Sequence, residues 1–228
     1  MGLTGSLGAA AVSGKVELRD SRDPAVRTAR NFSGVVVSLT PKGETPRAPL
    51  SPIQATILQK NKEFSPHVLA IPVGSSVAFP NLDPIFHNAF SSYNGQIFDV
   101  GLYPPGTSRS VRFMREGVVR VFCNIHSSMS AMIVVLTTPY FAVSNRDGSF
   151  TLADVPAGDY VLRVIHERSA EAALQALTRK ITVGADAMVL PGLAISEAGY
   201  LSIPHKNKYG RDYDPDAADQ FMYPATRK

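Results

Sequence analysis

Apolar residues along the chain come in short runs, closed off by glycine, proline, asparagine and aspartate. Side chains on a strand alternate between two faces, so short apolar or alternating runs between turn residues mark β-strands. Strands are predicted at 12–18, 33–39 (SGVVVSL), 54–59, 68–73, 76–79, 108–113, 118–122 and 131–136. A Pro/Gly-rich link occupies 41–52 and a loop 80–84. The pattern continues at 140–144, 149–152 and 160–166. Asp147-Gly148 lies between two runs and predicts a hairpin, since both turn positions tolerate positive φ there. Pro156-Ala157-Gly158-Asp159 predicts another turn. One short helix is predicted near 170–178, with Ser169 as cap and Ala170, Ala173, Leu174 and Leu177 at helical spacing. The class is all-β, most simply two small sandwiches.

The 228 residues suit one large domain or two small ones, at roughly 100–200 residues each. Charged residues are 18%, below the usual ~25%, which argues against charge-driven disorder. Lysine plus arginine exceed acids by 23 − 19 = 4, too few and too scattered for a nucleic-acid-binding face. The longest apolar stretch, 131–136, is far shorter than a membrane-spanning helix. One cysteine rules out an internal disulfide and any site needing two thiolates. Residues 1–14 read either as the remnant of a signal peptide or as a flexible start. Residues 199–228, with three prolines and four tyrosines, read as an extended surface strap, or as an arm that docks a partner. The acids at 212–219 lack the glycine turn and closing glutamate of a calcium loop, and read as solvated charge.

The chemistry concentrates in Phe122-Cys123-Asn124-Ile125-His126-Ser127-Ser128-Met129. A thiolate, an imidazole and a thioether share one loop, spaced C-x2-H-x2-M. Soft sulfur with imidazole suits copper, and His2Cys with a weak axial Met is the ligand set of blue-copper sites. The second histidine must come from elsewhere. His87, on the loop after the strand at 76–79, is the candidate. Asn88 beside it is expected to hydrogen-bond across to the cysteine loop and orient the ligands. Each residue alone has a structural reading, as buried thiol, loop histidine or core filler. Met132 is the alternative to Met129 but falls within a strand. His67 and His166 read as structural. Cys123 and His126 lack an orienting third group for nucleophilic catalysis.

The ordered string Phe64-x-Pro66, Val73-Gly74-x-x-Val77-x-Phe79-x-Asn81-x-Asp83, His87-Asn88, Pro105-Gly106 and Val121-Phe122-Cys123-x-x-His126-x-x-Met129 resembles the cupredoxins of the plastocyanin and amicyanin type. It covers about 54–137, and the cysteine loop is similar in spacing to that of amicyanin. The resemblance implies one type 1 copper, with His87, Cys123 and His126 equatorial and Met129 axial. It implies that His126 lies near the surface within an apolar patch, for which Ile85, Phe86, Pro104 and Pro105 are candidates. Electrons would pass through its exposed ring edge. Only one such domain fits, and the chain has no His-x-His pair, so no catalysis at a second copper is expected.

The segment 139–196 resembles a carboxypeptidase regulatory-like or transthyretin-like sandwich, through Asp147-Gly148-Ser-Phe150 and Val155-Pro156-x-Gly158-x-Tyr160-x-Leu162-x-Val164. That family's first strands are missing downstream of Pro139 and occur instead as Ser13-Gly14-Lys15-Val16 and 34–39. This predicts a discontinuous sandwich, 12–41 plus 139–197, with the cupredoxin (50–137) inserted and 198–228 as a tail. The plainer alternative is two consecutive domains split near Pro139. Chains of this type resemble methylamine-utilisation-like proteins, but no residue here identifies an amine substrate. The expected function is single-electron transfer without enzymatic activity, in the periplasm or otherwise outside the cytoplasm. The expected partner is a redox protein such as a cytochrome or periplasmic oxidoreductase, with no nucleic acid and no membrane span. Copper delivery or storage, and a metal-free structural sandwich, remain the alternatives.

Overall fold

The computed structural model describes residues 9–45, 47–92, 95–201 and 205–213. Parts of two sequence readings, the start of 1–14 and the acids at 214–219, lie outside the described residues. The chain is almost entirely β, and divides into two compact units: Met1–Leu50 with Thr138–Leu201, and Ser51–Thr137 with Ser202–Lys228.

In the first unit, strand Ala9–Arg19 pairs antiparallel with Ser149–Pro156 and parallel with Met188–Val189 and Leu193–Ser196. A second sheet runs in the order Phe141–Val143, Val36–Pro41, Gly158–Ile165, Arg179–Val183. Period-two alternation sends Val12, Val16 and Leu18 into the core while Lys15 and Arg19 face solvent. They meet Val37, Leu39, Leu162 and Val164 of the other sheet. Each such buried side chain contributes roughly 1.5–3 kcal/mol. The run at 33–39 joins the sheet only from Val36, because Gly34 takes φ +85° and the Val35 N–H is held by Ser144 Oγ at 3.0 Å.

Asp147-Gly148 forms a closed turn, with Gly148 N–H donating to Asn145 O at 2.9 Å and Asn145 N–H to Ser149 O at 2.8 Å, but no ladder continues from it between the flanking strands. Phe141–Val143 pairs with Val36–Pro41, and Ser149–Pro156 with Ala9–Arg19. The turn is pressed onto Val16, whose N–H donates to Gly148 O at 2.9 Å; a Cβ at Gly148 would lie 2.1 Å from Val16 O.

The expected helix spans Glu171–Leu177, but Ala170 is its N-cap and makes no side-chain capping bond, so Ser169 does not cap it. A second, four-residue helix, Pro24–Arg27, was missed. Asp23 caps it through Ala25 N–H at 2.8 Å, and Asp-Pro is the helix-start signal that marks it. No helix among the described residues is long and apolar enough to cross a membrane.

In the second unit, Ser108–Arg112, Ser76–Pro80 and Gln54–Thr56 form one sheet. Val68–Pro72, Ser130–Leu136, Gly117–Phe122, Phe90–Ser91 and Phe98–Asp99 form another. Their core holds Ile71, Val77, Phe79, Phe113, Val121 and Ile133. The predicted run 54–59 breaks at buried Ile57; the chain then doubles back as the hairpin Leu58–Lys60 and Glu63–Ser65.

One buried charge cluster joins the two sheets of the first unit. Glu197 accepts from His166 Nε2 at 2.7 Å, Arg168 Nε at 2.9 Å and the Ser21 hydroxyl. Burial disfavours both ions. It holds His166 below its ordinary pKa, whereas at Glu197 the bonds from Ser21, His166 and Arg168 outweigh it and hold the carboxyl below the usual range. Both shifts make the unfolded chain bind more protons, so this contribution to stability is present near neutral pH and lost as pH falls. Glu197→Gln should lower unfolding free energy at pH 7 by about 3 kcal/mol. The gap to wild type should narrow below pH 4.5, the reference carboxyl value, as followed by denaturant titration across pH.

Candidate metal centre

Two loops of the second unit supply the donors. The first, 81–88, leaves strand Ser76–Pro80 and is shaped by buried asparagine and aspartate. Asn81 Nδ2 donates to Ile85 O at 2.8 Å, and Asn81 Oδ1 accepts from Asp83 N–H at 3.0 Å. His87 exchanges backbone bonds with Tyr103, at 3.2 and 2.9 Å. Tyr103 is fixed in turn, its hydroxyl donating to Phe79 O at 2.7 Å and accepting from Gln59. The second loop, 123–129, links Gly117–Phe122 to Ser130–Leu136. It is closed by Cys123 N–H to Met129 O at 3.2 Å and Met129 N–H to His126 O at 3.1 Å.

These loops bring His87, Cys123 and His126 together, all buried, with donor atoms within 4.8 Å of one another. The Cys123 Sγ lies 3.8 Å from His87 Nδ1 and 3.6 Å from His126 Nδ1. A first-row metal binds imidazole nitrogen at ~2.0 Å and thiolate at ~2.3 Å, so trigonal arms near 120° require N···S separations of about 3.7 Å. Both separations from the thiol match that requirement. Met129 is completely buried in the same core cluster as Cys123. Met132 lies within Ser130–Leu136, opposite Arg120 and Val68, on the other strand face from Ala131 and Ile133.

Asp83 received no role in the sequence reading beyond its place in the motif. Its Oδ2 accepts from His87 Nε2 at 2.7 Å. An ionised carboxylate is acceptor-only, which puts the imidazole proton on Nε2 and leaves the Nδ1 lone pair facing the thiol. The same carboxylate accepts from Asn61 N–H at 2.6 Å and Lys62 N–H at 2.9 Å. Those two residues, at φ +57° each, form the hairpin turn between Leu58–Lys60 and Glu63–Ser65. Burial works against the Asp83 charge, but the Lys62 N–H, His87 and Asn61 N–H together hold it below the ordinary carboxylate range. Burial keeps His87 below its ordinary pKa, with Asp83 pulling the other way. Burial also pushes the Cys123 thiol up, while the backbone N–H groups of Ile125, Asn88, His126 and Asn124 favour its thiolate. An aspartate four residues before the histidine was the available signal for this arrangement.

Two expectations are corrected. The Asn88 side chain does not reach the cysteine loop: its Nδ2 donates to Asp99 Oδ1 at 2.8 Å, and it is the backbone N–H that faces the thiol. His126 does not present an open ring edge, with 4% of its surface exposed. Ile85, Phe86, Pro104 and Pro105 are half-buried, and Leu82 and Leu102 beside them in sequence are exposed. His67 stands outside the cluster, its Nδ1 2.9 Å from Ser130 O.

Residues 205–213 pack in this unit against the cysteine loop. The His205 ring stacks on Phe122, with centroids 4.2 Å apart. Tyr213 O–H donates to Cys123 O at 2.6 Å and lies 3.0 Å from His205 Nδ1. Lys208 N–H donates to Asn124 Oδ1 at 2.9 Å.

No family model matches this sequence, and no curated protein does. Among solved structures, the chain is similar to a purple cupredoxin from Nitrosopumilus maritimus, at 28% identity over 36% of this chain and 99% of that one, with a TM-score of 0.33. It is similar to the copper-containing nitrite reductase of Thermus scotoductus SA-01, at 27% identity over 42% of this chain and a quarter (25%) of that one, with a TM-score of 0.35. Amicyanin from Paracoccus versutus is similar at 17% identity over 43% of this chain and 98% of its own, with a TM-score of 0.34. These likenesses to cupredoxins extend over less than half of the chain.

Asp83→Asn should weaken metal binding by about 10–100-fold, as read by chelator competition, because it frees the imidazole's orientation and tautomer.

Proposed function

We propose that the second unit is a type 1 copper centre that carries single electrons between protein partners. His87, Cys123 and His126 would hold the ion, with Met129 as the fourth, weaker donor. The observation that carries this reading is the pair of 3.6 and 3.8 Å separations from one thiol to two imidazole nitrogens. Copper bound there supplies one-electron chemistry between its two oxidation states. The chain's own part is to hold the donors still. Asp83 fixes the His87 ring, the backbone bonds of 123–129 fix the second loop, and burial keeps water out. A site that cannot relax between oxidation states needs little reorganisation when an electron moves.

The partner is a cytochrome or a periplasmic oxidoreductase, met through Ile85, Phe86, Pro104 and Pro105 with the exposed Leu82 and Leu102. The first unit is a carboxypeptidase regulatory-like spacer without catalytic chemistry, and the protein works outside the cytoplasm. The buried donors favour retention of the metal over its delivery to another protein.

The test is titration of the metal-free protein with one equivalent of Cu(II). An intense thiolate-to-copper band and narrow copper hyperfine splitting in EPR are expected, both lost in Cys123→Ala. Weak d–d absorption with ordinary splitting would instead assign delivery or storage, and absence of binding would leave a structural protein.

A further inference from the structure

We propose that residues 205–213 form a strap that ties the two ligand loops together, with Tyr213 and Lys208 as its positioning residues. The strap would set how readily the metal centre opens. It rests on the copper reading only for what the loops hold.

The strap grips the cysteine loop at main-chain level. Cys123 O accepts from the Tyr213 hydroxyl, and Asn124 Oδ1 accepts from the Lys208 N–H. The His205 ring closes over Phe122 and stands edge-on to Tyr213, with centroids 5.2 Å apart at 86°. Lys206 O lies 3.1 Å from His205 Nδ1 and accepts only, so the proton sits on Nδ1 and is shared with the Tyr213 oxygen. The Tyr213 hydroxyl is thereby free to donate to Cys123 O.

The strap also reaches the histidine loop. Lys208 Nζ pairs with Asp99 Oδ2 at 2.7 Å, and Asp99 Oδ1 accepts from Asn88 Nδ2 at 2.8 Å. Asn88 directly follows His87. One short segment thus bonds to the backbone of one ligand, Cys123, and through a single carboxylate to the neighbour of another, His87. Asp99, held by Lys208, is what turns the Asn88 side chain away from the cysteine loop.

Cys123 is the chain's single cysteine and is fully buried, so its reaction with a thiol reagent in the metal-free, full-length protein reports opening of this centre alone. Tyr213→Phe and Lys208→Gln should each raise that rate, by about fivefold or more for Tyr213→Phe, with the thermal midpoint unchanged. Removal of bound Cu(II) by a chelator should accelerate in the same order. Unchanged thiol reactivity in both variants overturns the strap, as does a rate increase matched by an equal loss of global stability. The two readings fail separately. A normal type 1 spectrum with no change of rate in either variant removes the strap and leaves the copper site. Thiol protection that depends on the strap, in a protein that binds no copper, removes the copper site and leaves the strap.

Discussion

The bond from His87 Nε2 to Asp83 decides which nitrogen of the buried imidazole faces the thiol. A neutral imidazole has one lone pair to offer a metal, and the nitrogen that offers it is decided by where the proton goes. Here the proton is claimed by a carboxylate that is itself held by two backbone N–H groups of a tight hairpin. Positive φ at Lys62 is unfavourable for a residue with a Cβ, and the bond from its N–H to Asp83 offsets part of that strain. The conformation of a surface turn is thus transmitted, through one side chain, to the lone pair at the centre of the unit.

A second constraint acts on the thiol. Burial alone would leave Cys123 a neutral thiol, a poor partner for a cation. The surrounding backbone N–H groups point the other way and favour negative charge on sulfur. Burial excludes water, and the oriented amides supply what water would have given. The balance is electrostatic preorganisation built from main chain, so it depends on the loop's path rather than on particular side chains.

Much of this was legible in the residues. Strand positions follow from period-two alternation, and the three clustered donors follow from C-x2-H in one loop and a lone histidine in another. What sequence reasoning missed was long-range pairing. The Asp147-Gly148 turn is local and closed, yet no ladder follows it, and the flanking strands pair with Val36–Pro41 and Ala9–Arg19, distant in sequence. Short strands such as Phe90–Ser91 and Met188–Val189 carry too few residues to show a period. Ser169 has the chemistry of a cap but sits one position early. Asn88 was assigned the right neighbourhood and the wrong partner, since a side-chain amide has no sequence signature for its acceptor. Tyr213 and His205 gave no signal at all, because a segment without periodicity does not declare the surface it will lie on.

The first unit's central strand, Ala9–Arg19, draws its partners from the far end of the chain, and the Ser21–Glu197 bond closes a separation of 176 residues. On a ribosome, that strand emerges long before anything it can pair with. Its apolar face must wait through synthesis of residues 51–137, whose sheets close over shorter separations. Loop closure must be met before long-range contacts stabilise a sheet, so the pairings within 51–137 cost less chain entropy than those of Ala9–Arg19. Until those partners are made, the strand presents unpaired edges and an apolar face, the features that template aggregation.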